Sequence, residues 1–140
     1  MHLSFIPFVA PMFIHHISEI VICSKILFIK NIIDHREKIR CNGHIEVSNR
    51  KFHCWKPDGH GNVDLVKSLR ESCDVYYYEL AQKVGIEKIA EAARILGLGQ
   101  SFNIEMSAVT SGIVPDKIWK QKTRSREWVV GDTVNSSIGQ

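Results

Sequence analysis

The stretch CNGHIEVSNRKFHCWKPDGHGN, residues 41–62, constrains the fold more than any other part of this chain. Glycine at positions 43, 59 and 61 and proline at 57 interrupt it so often that no long helix fits there. Short alternating pieces such as HIEV, residues 44–47, predict strand-like or irregular structure joined by tight turns. Helical patterning begins only afterwards. Asp64 is placed to cap a helix that runs through Val66 and Leu69 and ends near Arg70 or Glu71. A second helix is predicted over 75–84, with Val75, Tyr78, Leu80 and Ala81 on or near its buried face and Gly85 at a left-handed stop. In a third, over 86–96, Ile86, Ile89, Ala90, Ala93 and Leu96 recur at helical spacing before Gly97 ends it. Residues 34–40 read as a charged turn or short helical end, residues 99–131 as loop-rich, and Asp132 as the cap of one last helix. No internal repeat is visible.

A chain of 140 residues with 44% apolar content has enough material for one domain and its core. Its formal charge of +3 is small and its basic residues are scattered, which argues against nucleic-acid binding. Lys117, Lys120, Lys122, Arg124 and Arg126 do cluster, but Trp119, Glu127 and Trp128 interrupt them, and the group reads as a solvated loop. Residues 1–33 are different in kind: rich in Ile and Phe, almost free of Gly, Asp and Glu. The run over 1–17 carries Pro7, Pro11 and the pair His15 and His16, and falls short of the roughly 20 apolar residues a membrane span needs. It lacks the Lys or Arg that opens a secretory signal, and Lys25 and Lys30 break the second run over 20–33. Neither reads as a transmembrane helix; weak membrane association stays open.

Between the first two predicted helices lies SLRESCDVYYYELAQ, residues 68–82, with Ser72, Cys73 and Asp74 directly before three tyrosines. The plain reading is that Ser72 or Asp74 caps the next helix. The neighbouring words add to it. GHIEVSNRKFHCWKPDGHGNVDL, ESCDVYYYELAQKVGIEKI and GDTVNSSIGQ, in this order, resemble the transpeptidase domain of penicillin-binding protein 2, a class B family of peptidoglycan D,D-transpeptidases of cell elongation. The resemblance covers residues 34–140 and leaves 1–33 as a non-family apolar segment. It implies an α-rich fragment of the α/β (α+β) fold shared by penicillin-binding proteins and serine β-lactamases, most of whose sheet lies outside the chain. It also implies an inner-membrane enzyme with a periplasmic catalytic domain that takes peptidoglycan stem peptides and is acylated by β-lactams.

The family works with Ser-x-x-Lys, Ser-x-Asn and Lys-Thr-Gly signatures. A serine hydroxyl is a weak nucleophile and needs a base one helical turn away; the second signature relays the proton to the leaving amine. By this resemblance Ser72 is the relay and Asp74 the polar residue facing substrate or lysine, where many relatives have Asn. The other two signatures are missing. Ser48 to Lys51 is the only Ser-x-x-Lys spacing, in the wrong part of the chain, and Lys122-Thr123-Arg124 is a near miss for Lys-Thr-Gly. The expectation is a piece of a split or decayed transpeptidase gene, inactive alone. The alternatives are a small zinc-stapled binding module, which binds a partner protein or the rest of the transpeptidase chain, and a non-functional remnant.

Cys41, Cys54, His60 and Cys73 follow the spacing Cys-x12-Cys-x5-His-x12-Cys. Three thiolates and an imidazole suit a closed tetrahedral zinc site, although the spacing is not that of a zinc finger. The resemblance assigns the same four residues, because some penicillin-binding proteins 2 carry a structural zinc beside the second signature. Buried free thiols and a disulfide are the alternatives. His44 and His53 are spare candidates, and Cys23, in the apolar segment, receives no role.

Overall fold

The computed structural model describes Asp34, residues 36–101 and residues 112–140. Residues 1–33, with Cys23 and both apolar runs, lie outside the described part. Among the described residues no helix is long and apolar enough to cross a membrane.

The punctuated stretch forms four short strands: β1 (Ile39–Cys41), β2 (His44–Val47), β3 (Arg50–His53) and β4 (Gly61–Val63). They make two antiparallel pairs, β1 with β4 and β2 with β3. The β2–β3 hairpin turns on Ser48 and Asn49, whose φ values of 49° and 62° are both positive. That is the two-residue turn whose twist matches a hairpin. Strand β1 begins inside the segment expected to be a turn or helical end. Pairing Ile39 with Val63 and Arg40 with Asn62 decides this, a contact no local window contains.

Three helices follow where the periodicity placed them: α1 (Leu65–Glu71), α2 (Asp74–Val84) and α3 (Ile86–Ile95). The Asp64 carboxylate caps α1, accepting from the Lys67 N–H at 2.8 Å. Asp64→Ala is expected to cost about 1 kcal/mol, the ordinary value of such a cap, read as a lowered urea midpoint at unchanged slope. Gly85, between α2 and α3, has φ 81° and ψ 152°, so it takes an extended positive-φ conformation rather than the left-handed helical one.

Helix α2 is the centre of the core. Val75, Tyr76, Tyr77, Tyr78, Leu80, Ala81 and Val84 are all buried. A buried phenol left unpaired is costly, and Tyr77 and Tyr78 bond accordingly. The Tyr77 hydroxyl meets Ser68 Oγ at 3.0 Å, and the Tyr78 hydroxyl donates to the His53 carbonyl at 3.2 Å. The tyrosines thus lock α2 to α1 and to the hairpin.

Two later elements also differ from the sequence reading. The basic group sits on a helix, α4 (Lys117–Arg124), capped by Asp116, which accepts from the Trp119 N–H at 2.6 Å. None of its residues is buried, so it lacks the apolar stripe by which a helix is recognised. The last helix, α5 (Val130–Ser136), starts ahead of Asp132. Asp132 sits in its first turn and reaches back to the Val129 N–H at 2.8 Å. Helix α5 packs on α2, and Val134 and Ile138 join the core. Ile95, Ile113, Ile118, Val129 and Val130 stay exposed, Ile95 at 76%.

Candidate functional site

Four elements converge at the start of α2. Cys41 ends β1, Cys54 follows β3, His60 precedes β4, and Cys73 occupies the N-cap of α2. All four are buried, from 0% exposed at Cys73 to 6% at His60. Their ligand atoms lie within 4.8 Å of one another. His60 Nδ1 faces the thiols, 3.6 Å from Cys41 Sγ and 3.5 Å from Cys54 Sγ. The three sulfurs form no disulfide.

Backbone packing makes this convergence. The Cys54 N–H donates to the Gly43 carbonyl at 2.7 Å, closing the hairpin beside the cluster. Gly43 and Gly59, at φ 89° and 75°, let the β1–β2 loop and the 54–61 loop lie backbone against backbone. A Cβ at Gly43 would sit 1.9 Å from the Pro57 oxygen, and one at Gly59 2.2 Å from the Cys41 oxygen. From the other side Lys67 of α1 donates to the His60 carbonyl at 2.6 Å.

The geometry suits a tetrahedral zinc. An ion about 2.3 Å from sulfur and about 2.0 Å from imidazole nitrogen sets sulfur–nitrogen separations of about 3.5 Å. The separations of 3.6 and 3.5 Å meet that requirement. The electrostatics draw one thiol of the cluster toward the thiolate form that a metal takes. Cys54 is drawn down to about 4, chiefly by the hydrogen bond from the Cys73 thiol, against its burial, with help from the N–H groups of Lys56, Val75 and Asp74. The same shared bond, together with burial, pushes Cys73 up, so one proton serves the pair. Asp74 and Val75 open α2, where free N–H groups and the helix dipole favour a thiolate. Three thiolates outweigh a divalent ion by one negative charge, and that helix terminus is where such a charge is stabilised.

The polar triplet sits against this cluster. Ser72 is exposed and left-handed, at φ 48° and ψ 52°, between α1 and α2. For a non-glycine residue this conformation costs about 1–2 kcal/mol, and such strain concentrates at functional positions. The Cys73 N–H donates to the Ser68 carbonyl at 3.1 Å and holds the turn. Asp74 is buried, and its Oδ2 accepts from the Trp55 N–H at 2.9 Å. The carboxylate therefore ties the residue after Cys54 to α2. Trp55 closes the arrangement: its indole N–H donates to the carbonyls of Glu71 at 3.0 Å and Ser72 at 2.9 Å. Its ring stands edge-on to His60, with centroids 5.3 Å apart. Trp55, Lys67, Gly43 and Gly59 are the residues that sequence reasoning passed over. Only the adjacency of Trp55 to Cys54 hinted at any of them.

Ser48 and Lys51 fall on the β2–β3 hairpin rather than one helical turn apart, and Lys122-Thr123-Arg124 lies in α4 rather than on a strand. A cavity of about 720 Å³, lined by Trp119, Lys120, Trp128, Asp132 and Gln140 among others, shares no residue with the cluster or the Ser72 turn.

Comparison with known proteins gives the class. The chain belongs to the penicillin-binding protein transpeptidase domain family, which it matches over residues 21–140. That match takes in part of the apolar stretch ahead of Asp34. Within the family the likeness is to penicillin-binding protein 2. The chain is 37% identical over 97 residues to the peptidoglycan D,D-transpeptidase MrdA of Acinetobacter baumannii, covering 69% of this chain and 14% of that protein. To MrdA of Haemophilus influenzae it is 40% identical over 93 residues, covering 66% of this chain and 14% of the relative. Penicillin-binding protein 2 of Helicobacter pylori, solved in complex with MreC, superposes with a TM-score of 0.82 at 35% identity, over 89% of this chain and 23% of that one. The fold is thus an α-rich portion of the transpeptidase fold, and the chain spans about one seventh of the length of these curated relatives.

Proposed function

We propose that this chain supplies the second-signature turn of a peptidoglycan D,D-transpeptidase of the penicillin-binding protein 2 type, held in place by a structural zinc. The observation that carries the proposal is the shared position of turn and cluster: the carbonyl of exposed Ser72 accepts from the Trp55 indole N–H, the next residue is Cys73 of the cluster, and Asp74 accepts from the Trp55 backbone N–H. In the complete enzyme the Ser72 hydroxyl relays a proton between the lysine base and the leaving amine of a stem peptide, and β-lactams enter as mimics of that peptide. Asp74 holds the loop that carries Cys54 and Trp55 in register with α2. Cys41, Cys54, His60 and Cys73 hold the ion, which cross-links loop to helix and neutralises most of the thiolate charge. The exposed apolar side chains of α3, α4 and the start of α5 fit burial against the remainder of such a domain.

The sequence holds neither a helical Ser-x-x-Lys nor a Lys-Thr-Gly, so the isolated chain lacks a nucleophile–base pair and should not acylate. Incubation with a fluorescent penicillin is expected to give no covalent band on a denaturing gel. A labelled band that boiling does not remove would overturn this part of the reading. The same four-ligand cluster supports a second reading, a zinc-stapled module that acts by binding. Cooperative unfolding of the isolated monomer would favour it.

A further inference from the structure

We propose that His44 and His53 form a second, solvent-facing site on this chain for a divalent late transition-metal ion such as Ni²⁺, Cu²⁺ or Zn²⁺. The two residues are direct partners in the β2–β3 register, and their rings lie 5.8 Å apart, centroid to centroid, tilted by 39°. The Cys54 N–H to Gly43 carbonyl bond at 2.7 Å makes positions 43 and 54 a hydrogen-bonded pair. Because antiparallel pairs alternate, His44 and His53 are then a non-hydrogen-bonded pair, the kind whose side chains approach most closely.

The backbone beneath them is held on every side. Ile45 and Phe52 of the opposite hairpin face pack on the core, with Phe52 edge-on to Tyr78 at 6.0 Å. The Tyr78 hydroxyl grips the His53 carbonyl at 3.2 Å, and the positive-φ turn at Ser48 and Asn49 fixes the far end. Two imidazoles on a rigid frame lose little freedom when they share an ion, which is what makes a two-histidine chelate worth more than two separate ligands. An ion about 2.0 Å from one nitrogen of each ring draws the centroids to roughly 5 Å. Half-exposed His44 and exposed His53 reach this by small side-chain rotations, and water completes the coordination. On the same face the next pair, Glu46 and Lys51, is an ion pair at 3.6 Å and brings no net charge against the cation.

The test is a calorimetric Ni²⁺ titration of the zinc-loaded full chain, with near-ultraviolet absorption followed in parallel and folding checked by circular dichroism. One Ni²⁺ per chain should bind without sulfur-to-nickel absorption bands. His44→Gln and His53→Gln should each weaken binding at least tenfold, and Lys51→Gln should leave it unchanged. Binding that neither histidine substitution alters overturns the proposal, as do strong sulfur-to-nickel bands that persist in both variants. The outcome is separable from the zinc reading of the buried cluster, because the absorption bands report ions at the cysteines and the two histidine variants report ions at the hairpin.

Discussion

With zinc in the cluster as proposed, Cys73→Ser should abolish zinc binding and lower the unfolding free energy by at least about 3 kcal/mol, the level reached when a buried structural site is broken. Cys73 has no exposed surface, and it joins the thiol cluster to the first turn of α2. Substitution removes one of the four candidate ligands and leaves two thiols and an imidazole buried together. Magnitude separates this from the bland reading. If Cys73 is only a small buried hydrophobe, exchanging sulfur for oxygen costs about 1 kcal/mol and nothing depends on metal. Zinc content by elemental analysis, combined with urea unfolding in added zinc and in excess chelator, decides between them. A wild-type midpoint that ignores zinc and chelator alike would sink the metal reading.

Gly43→Ala is expected to be as damaging, for a reason independent of metal. The new methyl would lie 1.9 Å from the Pro57 oxygen at a backbone φ of 89°. The conformation alone costs about 1–2 kcal/mol, and the clash with a backbone atom forces the two loops apart, for a total of about 3 kcal/mol or more. Gly61 supplies the control, because its φ of 70° carries the same conformational cost but nothing lies within 4 Å of a Cβ there. Gly61→Ala should therefore lose only the conformational part. Urea midpoints for the two variants, both in excess chelator, isolate the loop contact. Equal losses would mean that the approach of the 54–61 loop to Gly43 contributes nothing.

The helical half of the fold was legible because its signals are local. Asp64 caps α1 from three residues away, and the apolar spacing of α3 lies within ten residues. The four cluster residues could be named from side-chain type and from the family words, and the structure brings those same four together. Other features were not legible. Helix α4 has a cap but no buried face, so its charged composition reads as loop. The bond from the Trp55 N–H to Asp74 links residues nineteen positions apart, beyond the reach of any local signal.

The sequence by itself determined where the helices of the core run, that the segment 41–62 must be loops and short strands, and which thiols and imidazole could gather into one cluster. Tertiary structure alone decided that β1 pairs with β4, that Cys41 and His60 therefore meet, and that Trp55 bridges the cluster to Ser72. The physical reason is range. A cap or an apolar stripe is settled within one or two helical turns. A ligand shell exists only after distant backbones approach, and here that approach depends on two glycines whose missing side chains make room for carbonyl oxygens fourteen and eighteen residues away in the chain.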